Sequence, residues 1–439
     1  MKKVLAAFAV LVAALSFGAA RASAGGLIVG VNDDAGKYEE GAGAFWSTMK
    51  GVGLQTNAMT VLWDETRPTT IIDEGFIRNS LPAAAANGIS VAFDVYPMHS
   101  RAFTSGDPNA PAAFAAYVQK LAQTFPQVKQ YVLMNECNQP RFVNPQFDAS
   151  KANQSGAICG NALALAYDAL KAVDSSDFVW GVGLSPRGND NADADSNVST
   201  SPVKFLGSLG QWYRSSGRTK PIMDGLDFHP YPIPQSMPFA NGYGEQNNAS
   251  VTNLTRIYQA FYDGFKGTGQ PTIGPGGLKV SLNEVGIQTT VAGHDGYTGA
   301  ENADGVNDQT GSEAFQADWY SKMLAYVACD PNVAAVNFFH LVDEADLAGW
   351  QSGLFYRGYV PRASAAAVQK AIASGLPCVG GVRNWTPGAV ASGPKAKPGP
   401  KGKPAPKAKP GPKGKHAPKA KPKPKQKPKP ASKGKGKGK

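Results

Sequence analysis

Eight short runs rich in Val, Ile, Leu and Phe, with little polar alternation, recur along residues 25–380, and each is followed by a longer stretch of helix-like composition. Strands buried on both faces of a parallel sheet read this way, whereas strands with one wet face alternate. The runs are 27–31, 58–63, 90–96, 130–135, 178–184, 225–229, 279–284 and 334–340. The helix-like stretches are 41–50, 73–87, 110–124, 156–173, 203–215, 251–265, 312–328 and 362–374. Alternation this regular fits an α/β chain folded as a single (β/α)8 TIM barrel over 25–380. A doubly wound open sheet is the rival, but the G-x-G-x-x-G phosphate turn expected after an early strand of that fold is missing.

The runs end in polar clusters: Asn32-Asp33-Asp34, Trp63-Asp64-Glu65, Asp94 with Tyr96, Asn135-Glu136, Ser185-Pro186-Arg187, His229-Pro230-Tyr231, Asn283-Glu284 and His340. One such cluster is only a strand-to-loop transition. Repeated around a barrel, they converge on the face that carries active sites. Glu136 and Glu284 end the fourth and seventh runs, and two carboxyls facing each other across a sugar are the minimum equipment for glycosidic cleavage. Trp63, Tyr96, Tyr231 and Trp350 sit at or just after strand ends, where flat rings can stack on sugars. Trp180 and Trp212 fall inside elements and are assigned to the core. His229, His294 and His340 lack ligand spacing, so neither a metal nor a cofactor is expected.

An Asn-Glu at the fourth strand end, His-x-Tyr at the sixth and a second Glu at the seventh, in that order, resemble the glycoside hydrolases of clan A, the group that includes family 5 cellulases and mannanases. The resemblance spans most of residues 25–380. It implies that Glu136 is the acid/base and Glu284 the nucleophile of a retaining, double-displacement hydrolysis. It also implies that Asn135 holds a sugar 2-hydroxyl and that His229 and Tyr231 line the site, with Tyr231 bonded to the nucleophile. Many clan members carry an arginine on strand two where this chain has Ala58-Met59-Thr60-Val61, leaving Arg67 or Arg187 as substitutes, and Phe338-Phe339-His340 stands where strand eight often ends in Trp. A silent carbohydrate-binding barrel and a transglycosylase are the alternatives; a decayed site usually loses one carboxylate first, and both are present here. The substrate is a polysaccharide or oligosaccharide of unspecified linkage, with residues 292–309 shaping the entrance.

The two ends are different materials. Met1-Lys2-Lys3, an apolar run over 4–17 and Ala22-Ser23-Ala24 have the three parts of a secretory signal peptide, removed after residue 24. The run is shorter than the ~20 residues of a membrane span, so an extracellular chain without a transmembrane anchor is expected, acting as a monomer. Residues 381–439 read as a linker and disordered tail, with no aromatic side chain and no aliphatic one larger than alanine after Val390. Of 44 Lys and Arg, 18 lie after Val390 and three leave with the leader, so the remaining chain carries 23 basic residues against 33 acidic ones. The basic tail suits anionic wall or surface polymers, with a plain solubilising linker as the equal alternative, and export argues against nucleic acid. Four cysteines allow three pairings. Cys137–Cys159, closing the loop after the fourth strand, and Cys329–Cys378, pinning the last helix, are favoured.

Overall fold

The computed structural model describes residues 26–38, 43–300 and 311–388, all within one compact unit, Met1–Val390. The signal-peptide reading, nearly all of the tail and residues 301–309 of the entrance segment lie outside the described residues. β1 (Ile28–Asn32) leads through α1 (Ala35–Tyr38) and α2 (Gly43–Val52) to β2 (Thr56–Trp63), then α3 (Glu74–Ala86), β3 (Ser90–Pro97), α4 (Ala110–Thr124), β4 (Gln130–Leu133) and α5 (Ser155–Val173). β5 (Phe178–Leu184), α6 (Pro202–Ser215), β6 (Gly225–Phe228), α7 (Leu254–Phe265), β7 (Lys279–Val285), α8 (Glu313–Val327) and β8 (Val333–Phe338) follow. A short hairpin of β9 (Phe355–Tyr356) and β10 (Val360–Pro361) precedes α9 (Ala363–Ala373).

The eight strands form a closed barrel in sequence order. β1 closes it on β8 in parallel, from Ile28 opposite Ala335 to Val31 opposite Phe338. All eight apolar runs are strands, but several stop early: Asn135, His229 and His340 lie just beyond β4, β6 and β8. These residues have left the ladder, and Met134 (φ 72°) and Glu136 (φ 35°) turn through backbone that side chains rarely adopt. The apolar residues of the runs, Val31, Phe93, Leu133, Val179, Leu226, Val280 and Val336 among them, are buried. A strand enclosed on both faces requires this.

Cys137 pairs with Cys159 and ties the loop after β4 to α5, while Cys329 pairs with Cys378 and fastens the chain beyond α9 to the end of α8. The long loop after β8 is held by a buried ion pair. Arg362 Nη1 and Nη2 donate to the two oxygens of Asp343 (2.7 and 2.6 Å), Nε donates to Thr289 (2.9 Å), and Nη1 also reaches the carbonyl of Gly353 (2.9 Å). Asp343 accepts further from Tyr297 (2.6 Å) and from the backbone of Gly353 (2.9 Å), so neither charge is short of partners. No helix among the described residues is long and apolar enough to cross a membrane.

Because removing one partner strands a buried charge, Arg362→Ala is expected to cost about 3–5 kcal/mol, read as a lower urea midpoint at unchanged slope. Replacing both Arg362 and Asp343 by apolar residues should cost less than that single change; equal or greater loss would mean that the pair only fills space.

Candidate active site

At the carboxyl ends of the strands, the side chains of Glu136, His229 and Glu284 meet with oxygen and nitrogen atoms all within 4.8 Å of one another. Three elements bring them there: the turn after β4, the residue after β6, and β7 itself. The Glu136 amide donates to the carbonyl of Gly183 (2.6 Å), and the ladder of β5 is irregular at this point, between Gly181 and Leu184. Val182 takes φ 63°, a strained value for a β-branched residue. Bulges of this kind re-aim neighbouring side chains beside active sites. Gly183 is required for space: a Cβ there would lie 2.9 Å from His229 Nε2 and 3.0 Å from Asn135 Oδ1.

His229 is fully buried between carboxylates. Its Nδ1 lies 3.3 Å from Glu136 Oε1 and 3.5 Å from Glu284 Oε2, and its Nε2 lies 3.2 Å from Asp227 Oδ2. Burial alone would drive off its second proton, but Glu284, Asp227 and Glu136 together push its pKa well above the ordinary imidazole value. His229 is thus a fully buried strut between the two glutamates. Asp227, two residues earlier and on the same face of the chain, was missed in the sequence; the i, i+2 spacing to His229 is the signal that could have found it.

Tyr231 donates its hydroxyl to Glu284 Oε2 (2.9 Å). Glu284 is pushed up to about 7, chiefly by burial and further by Glu136, against the opposing pull of His229 and the Tyr231 hydroxyl. Below lies a polar belt inside the barrel. Asp94 Oδ2 accepts from Asn32 and Asn283 (both 3.5 Å), and Asn283 Oδ1 accepts from Asn337 (2.7 Å). Burial, then Glu284 and Asp227, push the Asp94 carboxyl well up. Asn135 is buried, and its Oδ1 bonds no protein atom.

The aromatic expectations divide. Tyr231, Phe339 and Trp350 cluster beside Glu284, with ring centroids 5.1 Å apart for Tyr231–Trp350 and 5.7 Å for Phe339–Trp350. Trp63 does not join them and is corrected to a core residue. It is fully buried, packs on Phe103 (5.7 Å) and Phe114 (5.5 Å), and spends its indole N–H on the carbonyl of Pro68. Strand parity explains this: Thr60 pairs across the ladder with Asp94 inside the barrel, and three residues later Trp63 faces the helices.

Neither arginine offered as a substitute bonds Glu284. Arg67 pairs with Asp64 (2.8 Å) at the surface, and Arg187 is exposed on the loop after β5. Buried Lys37 donates instead to the carbonyl of Thr60 (2.8 Å), but its charge is taken by Asp73 (2.9 Å) and Asp34 (3.4 Å). Burial drives His340 down to about 3 and so keeps it neutral. As to metals, Glu136, His229 and Glu284 are near enough to share one, as are Asp64, Glu65 and His99.

No family model matches the sequence, and no curated protein matches it. Solved structures share the fold. A family 5, subfamily 18 glycoside hydrolase from Streptomyces cattleya in complex with GlcNAc is 14% identical over 82% of this chain and 83% of its own, with a TM-score of 0.53. Another member of that subfamily, from Bifidobacterium longum subsp. infantis, is 15% identical over 81% of each chain, with a TM-score of 0.52. The chain spans 63% of a longer family 39 glycoside hydrolase from Bacteroides cellulosilyticus, which is 15% identical over 79% of this chain at a TM-score of 0.49. The closed eight-stranded barrel is thus a fold that the two family 5 glycoside hydrolases share.

Glu284 binds its proton more tightly in the folded than in the unfolded chain, so the fold carries a penalty that is absent below about 4.5 and complete above about 7. Glu284→Gln should accordingly be more stable than the parent by about 1–3 kcal/mol at pH 8 and lose that advantage at pH 4.5. Urea denaturation at the two pH values checks this; an advantage independent of pH would show that the carboxylate carries no burial penalty.

Proposed function

We propose that this chain is a secreted retaining glycoside hydrolase in which Glu136 is the general acid/base and Glu284 the nucleophile. One observation carries the reading: two glutamates from opposite sides of a barrel mouth bring oxygens within 4.8 Å of each other, joined through one imidazolium. Retaining enzymes need their carboxyls ~5–5.5 Å apart, whereas inverting ones leave room for a water at ~6.5–9.5 Å.

The roles follow from the surroundings. Glu284 holds the Tyr231 hydroxyl and faces His229, both of which favour its ionised form, as a nucleophile needs. Glu136, the more exposed of the pair at 16% against 12%, sits where it can pass a proton to a departing oxygen and later take one from water. Attack of Glu284 on the anomeric carbon breaks the glycosidic bond and gives a glycosyl ester. Water, deprotonated by Glu136, then displaces the ester and restores Glu284. Asn135, with a buried oxygen free for a hydroxyl proton, is assigned to the sugar 2-hydroxyl, and Tyr231 and Trp350 to its flat face. His229 acts by charge through the carboxylates and not by touching the sugar. Export, suggested by the amino-terminal leader, suits a body with two disulfides, and the lysine-rich tail is assigned to anionic surface polymers. One structural neighbour is bound to Manβ1-4GlcNAc, which makes β-mannosides and N-acetylglucosaminides first members of a substrate panel.

Incubation with activated 2-deoxy-2-fluoro glycosides should leave a covalent sugar on the peptide containing Glu284, absent in Glu284→Gln. No adduct with any sugar would sink the proposal. Glu136→Gln should lose at least about a hundredfold in kcat on unactivated substrates. The acid limb of kcat/KM should fall near pH 7 in the parent, where Glu284 ionises, and should move upward in Tyr231→Phe, which removes a hydrogen bond to the anion.

A further inference from the structure

A cavity of about 360 Å³ opens between the loops after β5 and β6. Two contacts tie its walls to the segments that carry the residues beside the reacting carboxyls. Tyr243 in its wall donates its hydroxyl to the carbonyl of Tyr231 (3.0 Å), the residue whose own phenol holds Glu284. From the other side Gln139, on the turn that begins with Glu136, donates to the carbonyl of Arg187 (2.6 Å). The wall is built and pre-formed. Arg256 Nη1 gathers the carbonyls of Tyr243, Glu245 and Asn248 (2.9, 2.7 and 2.8 Å), and Asn248 Oδ1 takes the amide of Gly188 (3.1 Å).

Ile233 and the Tyr243 ring supply apolar surface, while Arg187 and Glu245 bring opposite charges. Both residues are exposed, neither enters an ion pair among the described residues, and both charges act on the Tyr243 phenol. The cavity adjoins the acid turn, and the acid delivers its proton to the departing oxygen, so the leaving group lies on this side. Resting on the glycosidase reading, we propose that this cavity holds the leaving sugar and selects an uncharged ring over a charged one.

The selection follows from the pair of charges. A uronate would suit Arg187 and be repelled by Glu245; an amino sugar would suit Glu245 and be repelled by Arg187. Hydroxyls can accept from a guanidinium and donate to a carboxylate at once. Specificity of this kind comes as much from repulsion of the wrong partner as from contacts to the right one.

The test uses the full mature chain and the sugar that labels Glu284. Its glycosyl fluoride, which has no leaving ring, is compared with disaccharides ending in glucose, glucuronic acid or glucosamine. We expect kcat/KM for the neutral disaccharide to exceed both charged ones at least tenfold. Arg187→Ala should lose at least fivefold more on the neutral disaccharide than on the fluoride. Glu245→Gln should narrow the gap to the glucuronate-ended disaccharide at least fivefold. Equal turnover of all three disaccharides, or variants that lose equally on fluoride and disaccharide, would overturn the assignment while the hydrolase reading stands. No labelling of Glu284 together with no turnover of any fluoride would overturn both.

Discussion

The parallel ladder between β1 and β8 is the contact on which the rest depends. Left open, the sheet would present two edges of unpaired amides and carbonyls, and the ends of β4 and β7 would not face each other. Closure turns a list of strand ends into a ring only wide enough for the side chains that fill it. The ring also forces crowding. Asp94, Asp227, Glu136 and Glu284 all point into one mouth, and the charge that answers them among the described residues is that of His229.

That crowding explains both a stability cost and a chemical gain. Burying carboxylates so close together is unfavourable, and the raised positions of Asp94 and Glu284 register it. The same crowding holds His229 between the two glutamates, its Nδ1 within 3.5 Å of an oxygen of each. Asp227 anchors the far side of His229, so the imidazole serves both glutamates through one nitrogen. A barrel of buried apolar contacts offsets the strain elsewhere.

Much of this was legible in the sequence. The eight strands showed in their unbroken apolar runs, since a doubly covered strand has no wet face to mark with polar residues, and Glu136, Glu284, Asn135, His229 and Tyr231 announced themselves as polar breaks at the ends of those runs. The structure brings all five to one place. Trp63 misled because a strand end tells position along the barrel but not which face a side chain takes, and Thr60, pairing with Asp94, sets Trp63 outward. Lys37, the cavity walled by Tyr243 and Asn248, and the Arg362–Asp343 pair depend on contacts between distant segments and leave no local pattern. His229, expected to line the site, lies buried between the two glutamates.

Gly183 has a consequence for how relatives of this chain are judged. A barrel of this kind can keep both glutamates and still be shut, because any side chain in that place would press on His229 and Asn135 together. When a distant homologue is sorted into working or idle, the residue aligned with Gly183 is therefore to be read beside the carboxylates. Its smallness can be lost in one step, with nothing missing from the catalytic inventory.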